Sequence, residues 1–186
     1  QGDTNMQTVD EFLGAKQSPQ TQTVDQFLAK NGGMQSVDEF LSGGSNTDSA
    51  PITQAFGNVN PDVEVMSGGV NNGTDYGFTH GDPIHAPKGQ WVVEDSYADD
   101  TQPGYIGNTS NSGYGNSVVL RNAKTGESIR LSHLSTNFAK PGMTVQGGTL
   151  LGNIGDTGNT SGAHLDAEDK DAQGNYGDIN ATPYAY

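Results

Sequence analysis

Apolar residues in this chain follow two rhythms, and the change between them falls near residue 50. Before it, one phrase recurs in three imperfect copies: Gln7-Thr8-Val9-Asp10-Glu11-Phe12-Leu13, Gln22-Thr23-Val24-Asp25-Gln26-Phe27-Leu28 and Gln35-Ser36-Val37-Asp38-Glu39-Phe40-Leu41. In each copy Val, Phe and Leu stand at i, i+3 and i+4. That spacing lines Val9, Phe12 and Leu13, then Val24, Phe27 and Leu28, then Val37, Phe40 and Leu41 along narrow helical stripes. Thr8, Thr23 and Ser36 each precede a Glu or Gln by three residues, which is a reciprocal capping box at a helix start. Gly14, Gly32-Gly33 and Gly43-Gly44 stop the pattern. Helices this short are marginal alone in water. The stripes are therefore expected to dock in a groove of a partner or of another copy, or to tether by packing on this chain's own globular part.

After Gly43-Gly44-Ser45-Asn46, which reads as a flexible joint, the rhythm shortens. Ser117 to Leu120, Ser128 to Leu131 and Thr149 to Ile154 are β-branched and aliphatic runs bounded by Gly or Asn, the signature of short strands. Asn122-Ala123-Lys124-Thr125-Gly126 fits a hairpin loop between two of them. Trp91, on a Val-rich strand, reads as core. With 27 Gly among 186 residues and 31% hydrophobic content, strands and tight turns are favoured over long helices. The expected fold is mainly β, with an N-terminal arm of short helical repeats over 1–50 and a β domain over 51–186.

The net charge of −14, with only 8 Lys and Arg, argues against nucleic acid as a partner. Without cysteine there is no disulfide and no thiol chemistry, a composition compatible with a secreted protein of a Gram-positive bacterium or a virion protein. No apolar run approaches the length of a bilayer span. Near Gln1 no charged and apolar leader pattern is present, so a leader is expected either to have been removed or never to have existed.

The densest chemical signal is Gly155-Asp156-Thr157-Gly158-Asn159-Thr160-Ser161-Gly162-Ala163-His164-Leu165-Asp166. Glycine at this density marks tight backbone, and in an extended segment residues i and i+2 share a face. His164 and Asp166 are thus expected to point into one cleft. The segment resembles that of the lysostaphin/LytM-type zinc endopeptidases of peptidoglycan, in which the end reads His-Leu-His. Three further stretches carry the resemblance in order. They are Gly81-Asp82-Pro83-Ile84-His85-Ala86, Gly113-Tyr114-Gly115-Asn116-Ser117-Val118-Val119-Leu120 and Val145-Gln146-Gly147-Gly148-Thr149-Leu150-Leu151-Gly152. With Pro51 to Gly57 resembling the opening strand, the likeness runs from Pro51 to Tyr186. It implies a lysostaphin-like antiparallel β domain.

The resemblance also implies a site. In that family zinc is held by the His and Asp of His-x-x-x-Asp and by the second His of His-x-His, with a water in the fourth position. Two more histidines flank the water. Here Asp75 matches the ligand aspartate, Asn71 stands in place of the first histidine, and Asp166 in place of the third ligand. His133, in Ser132-His133-Leu134, and His164 match the flanking pair. An amide oxygen is a weak donor and a carboxylate has a shorter reach than imidazole, so stable tetrahedral zinc is not expected. Asp75 and Asp166 would then face each other without the cation, which raises a pKa, admits a hard ion or spreads them apart. His80 and His85 are the nearest substitutes, although at most one of them is expected to face the cleft. In the family, loops wall the substrate groove, which makes Tyr105 and Tyr114 candidate contacts.

Three expectations follow. The first is a catalytically inactive domain acting as an adaptor for peptidoglycan peptide or an envelope or virion protein, with no cofactor. A second is an active zinc metalloendopeptidase that cuts cross-bridges through a rearranged site. The third gives assembly to the N-terminal repeats. The resemblance implies a cell-wall or extracellular setting, or a phage tail.

Overall fold

The computed structural model describes residues 50–186. The three N-terminal phrases lie outside the described residues. Within that range the strands are β1 (Ile52–Gln54), β2 (Thr74–Tyr76), β3 (Pro83–His85), β4 (Gln90–Tyr97), β5 (Ser117–Arg121) and β6 (Ser128–Ser132). There follow β7 (Leu134–Asn137), β8 (Thr144–Gln146), β9 (Leu150–Ile154), β10 (Leu165–Lys170) and β11 (Tyr176–Gly177), with 3-10 turns at Ser110–Gly113 and Ile179–Ala181. The architecture is mainly antiparallel β, as the short apolar runs predict.

The larger sheet has the order β1-β2-β10-β6-β5-β4-β8, with β11 paired to β10, and the smaller has the order β3-β9-β7. β5 and β6 form the hairpin expected from the aliphatic runs. Its loop is closed by Asn122, whose N–H donates to Glu127 O at 2.9 Å and whose carbonyl accepts from Gly126 N at 2.9 Å.

Both sheets contribute to one apolar cluster. Ile129 and Leu131 of β6, Leu165 and Ala167 of β10 and Leu120 of β5 meet Ile84 of β3, Leu151 and Ile154 of β9 and Leu134 of β7 there. Each fully buried aliphatic side chain of this kind stabilises the fold by about 1.5–3 kcal/mol. Trp91 is 0% exposed, as expected of core. Its Nε1–H donates to Pro87 O at 3.0 Å, and its ring meets Tyr184 edge-on at 4.8 Å.

Alternation along the strands decides what lies on the other face. Because successive side chains point oppositely, burying Leu165 and Ala167 turns Asp166 and Glu168 away from the core. On β6 the same rule turns out Arg130 and Ser132. Register then sets these residues side by side: Asp166 pairs with Asp75 of β2 on one flank and with Ser132 on the other, and Glu168 pairs with Arg130. Gly73, just before β2, allows the close approach. A Cβ there would collide with Asp166 Oδ1 and stand 2.9 Å from Ala167 O.

Candidate functional site

The polar face of β2 and β10 forms the floor of a cleft of about 550 Å³, whose lining includes Asn71, Asp75, His133, His164 and Asp166. Residues separated by up to 95 positions are thus brought together by strand register rather than by any local motif. Tyr114 also lines the cleft. Tyr105 does not: Gly104 bridges to Gly158, Tyr105 N donates to Gly158 O at 3.1 Å, and the side chain is left 56% exposed. His80 and His85 are likewise absent from the lining. His80 stands at the surface 3.9 Å from Asp156, and His85 lies on β3 in the smaller sheet.

Asn71 is buried and its amide is fully oriented. Gly73 N donates to Oδ1 at 2.9 Å, while Nδ2 donates to Asp75 Oδ1 at 3.2 Å and reaches Gln54 O at 3.4 Å. The side chain therefore presents N–H groups, not a lone pair, to the aspartate.

The two histidines share a tautomer logic. His133 Nδ1 lies 2.7 Å from Thr157 O, and His164 Nδ1 lies 2.9 Å from Gly162 O and 3.2 Å from Thr160 Oγ1. A carbonyl can only accept, so each Nδ1 carries the proton and each Nε2 is freed for the cleft. The rings stand 4.7 Å apart, and His164 Nε2 is 3.7 Å from Asp75 Oδ2. His133 holds a left-handed backbone, φ 64, unusual for a side chain of its size. This conformation is fixed by its N–H donating to Tyr114 O at 3.0 Å and by Leu134 N donating to Asn116 O at 2.9 Å.

Burial governs the electrostatics. Removal from water pushes the Asp75 carboxyl up to about 6, against the opposing pull of His164 and the Asn71 hydrogen bond. Asp166 is raised well above the carboxylate range by burial, then by the charges of Glu168 and Asp75. The His133 imidazole is pushed down to about 3 by burial and by His164. Such a site holds neutral imidazole and carboxyls that resist ionisation.

Sequence reasoning missed two carboxylates. Glu168 lies two residues beyond Asp166, so extending the i, i+2 rule from His164 by one further step finds it. It is only 4% exposed, with Oε1 accepting from Tyr114 Oη at 3.0 Å and Arg130 Nε standing 3.9 Å from Oε2. Glu64 arrives from the loop between β1 and β2, held by Gln54 Nε2 at 2.6 Å and Ser67 Oγ at 2.9 Å. Nothing in the linear sequence announced it.

Among the described residues, no three His, Asp or Glu side chains converge in an arrangement that could hold a metal ion. No helix among them is long and apolar enough to cross a membrane.

The fold is that of known peptidases. The catalytic domain of the antimicrobial peptidase lysostaphin from Staphylococcus simulans is 21% identical, with a TM-score of 0.59 over 71% of this chain and 90% of that one. LytU is 25% identical, with a TM-score of 0.51 over 74% of this chain and 80% of that one. A zinc-containing peptidase from Vibrio cholerae is 24% identical, with a TM-score of 0.54 over 71% of this chain but 36% of that one. No curated protein matches the sequence. The description peptidase family M23 matches residues 69–177, more than half of the chain. Together with the lysostaphin-like sheet and the cleft built on β2 and β10, this match establishes that the chain belongs to peptidase family M23.

Proposed function

We propose that this domain is a catalytically silent member of family M23 that binds peptide of the bacterial cell wall in its cleft. Peptidases of the family are zinc enzymes that act on peptidoglycan. The residues here do not fit zinc. The observation that carries this reading is the Asn71 amide: its oxygen is engaged by Gly73 N, and Nδ2 donates to Asp75 Oδ1 and reaches Gln54 O. A donor set of one buried amide turned the wrong way and two aspartates lacks the imidazole nitrogens that zinc favours. Changing a partner one shell further out already costs about 10–100-fold in affinity or activity.

A second reading, an active peptidase with a rearranged site, is favoured by His133 and His164. Both keep Nε2 free toward the cleft, as proton carriers need. Incubating the full chain with purified cell-wall sacculi separates the two. The silent-binder reading expects co-sedimentation with no release of soluble peptide, and zinc-dependent release of peptide overturns it.

Within this proposal the arm over 1–50 supplies docking stripes to a partner, and the β domain over 51–186 supplies the cleft. The setting is the cell wall, the extracellular space or a phage tail.

A further inference from the structure

We infer that the loop between β1 and β2 is a latch across the cleft, fastened by Asn159, and that a cross-linked cell-wall peptide enters only when this latch is released; the entry step rests on the silent-binder reading above.

The loop is built in two parts. Its stem is a short ladder in which Gly57 N donates to Asn71 O, Asn71 N to Asn58 O and Asn60 N to Gly69 O, at 2.9 Å each. Beyond the stem the chain folds back on itself. Val63 N and Glu64 N both donate to Asn60 O, Ser67 N and Gly69 N both donate to Glu64 O, and Gly68 takes φ 77 to close the turn. The tip is therefore a self-bonded knob carried on a two-stranded stem.

That knob reaches the far side of the cleft. Val63 and Met66 line the cleft from the loop, and Gly113 and Asn159 line it from the opposite wall. The two walls meet at Asn159, whose three polar groups join three segments. Its backbone N–H donates to Gly113 O at 2.7 Å, its Oδ1 accepts from Gly107 N at 2.7 Å, and its Nδ2 donates to Val63 O at 3.1 Å. An amide nitrogen donates and an amide oxygen accepts, so these partners fix the orientation of the side chain. Beside this bond Met66 packs on Gly113: a Cβ at 113 would stand 3.0 Å from Met66 Cγ and 3.4 Å from Asn159 Cβ.

The bridge is weaker than the stem. It consists of one neutral hydrogen bond and the contact of Met66, which keeps 44% of its surface exposed, whereas the stem holds three ladder bonds. The tip thus parts from Asn159 before the stem opens. Its other tether, Gln54 Nε2 donating to Glu64 Oε1 at 2.6 Å, joins it to β1 on its own side of the cleft. Topology makes the bridge consequential. While the tip is fastened to Asn159, a peptide can pass beneath it only by threading from an end, and a peptide cross-linked into a wall polymer has no free end. Such a peptide is laid into the cleft only from the unlatched state.

Asn159→Asp unfastens the latch selectively: one oxygen still accepts from Gly107 N, while the other replaces the donor that faces Val63 O. In nuclear magnetic resonance of the natural chain, an Overhauser contact between the Met66 side chain and Gly113 Hα is expected, and it should fall at least about twofold in Asn159→Asp. Sacculi should bind Asn159→Asp at least about threefold more tightly than the natural chain, because the competent fraction rises. The reverse experiment locks the latch. The chain has no cysteine, and Met66 Cβ and Asn159 Cβ both lie within 3.4 Å of the point a Gly113 Cβ would occupy. Met66→Cys combined with Asn159→Cys can therefore be joined by a short dithiol cross-linker that a reductant removes. The cross-linked form should bind sacculi at least about tenfold more weakly than the same variant after reduction. If either variant fails to fold, the other decides.

Equal binding by the locked and reduced forms overturns the inference while the silent binder stands. Absence of the Met66 to Gly113 contact in the natural chain, or its persistence at full strength in Asn159→Asp, also overturns it. If sacculi retain no form of the chain, the silent-binder reading falls and relaxation dispersion judges the latch alone. Exchange confined to residues 61–68 and quenched by the cross-link supports it, and flat profiles in both forms overturn it.

Discussion

Asn71 Nδ2 stands 3.2 Å from Asp75 Oδ1 and donates to it, so an amide occupies the side of the aspartate that a cation would otherwise face. The same side chain caps Gly73 N at 2.9 Å, which ties the entry into β2 to the site itself. Structure and chemistry are therefore coupled at one residue. Asn71→Ala leaves Gly73 N buried without its acceptor and should cost about 1–3 kcal/mol in urea denaturation. Asn71→Asp restores the acceptor but sets a second carboxylate against Asp75. Its stability relative to the natural chain should fall further at pH 8 than at pH 5, where protonation relieves the pair.

Gly73→Ala tests the close approach of β2 to β10. The added methyl would collide with Asp166 Oδ1 and lie 2.9 Å from Ala167 O, and the latter is backbone that cannot swing aside. A loss of about 1–3 kcal/mol is expected, read as a lower urea midpoint with an unchanged slope. A change of less than a few tenths of a kcal/mol would show that β10 does not lie where described.

Titration gives two opposing signatures. Asp75 is raised from 3.8 to about 6, so the folded state binds more protons between those values; its contribution is fully present below pH 3.8 and is lost as pH rises through 6. Asp166 and Glu168, also raised, act in the same sense. His133 is lowered from 6.5 to about 3, so the unfolded chain binds more protons there; its contribution is present above pH 6.5 and is lost as pH falls through 3. In stability measurements from pH 3 to 7, Asp75→Asn should make the curve rise more steeply with pH, and His133→Asn should make it rise less. Asparagine also tolerates the left-handed backbone at 133.

The N-terminal phrases make a separate prediction. Changing Phe12, Phe27 and Phe40 together to Ala removes the largest group of each stripe. Pull-down of a partner should be lost while the thermal unfolding of the β domain stays within about 2 °C, a shift corresponding to well under 1 kcal/mol. Unchanged partner capture would remove the docking role.

Much of the fold was legible because short aliphatic runs between glycines leave few alternatives. Ser117–Leu120, Ser128–Leu131 and Thr149–Ile154 emerge as β5, β6 and β9, with boundaries shifted by about a residue. Asp171 to Gly174 forms the turn between β10 and β11, with Asp171 Oδ1 accepting from Gln173 N and Asn175 N at 2.9 Å each. Asn71, Asp75, His133, His164 and Asp166 all line one cleft, with Asp75 and Asp166 paired across β2 and β10.

The rest was hidden for identifiable reasons. Leu165-Asp166-Ala167-Glu168-Asp169-Lys170 carries four charged residues in six, and only pairing on both flanks buries Glu168. Glu64 is delivered by a loop whose path depends on contacts such as Asn71 N to Asn58 O at 2.9 Å and Asn60 N to Gly69 O at 2.9 Å. Tyr105 was placed by analogy with groove-walling loops, but the backbone link to Gly158 leaves it outside the cleft lining. Long-range backbone pairing set all three outcomes, and no local pattern encodes it.

The central claim is that this cleft has exchanged a metal site for an amide-capped carboxylate site, and metal content tests it most directly. The full chain should be loaded with excess zinc, exchanged into metal-free buffer and analysed by mass spectrometry beside Asn71→His combined with Asp166→His. The account predicts no stoichiometric zinc on the natural chain and about one zinc per chain on the double variant, which regains the imidazole donors. One zinc per natural chain, released by Asp75→Ala, would contradict it.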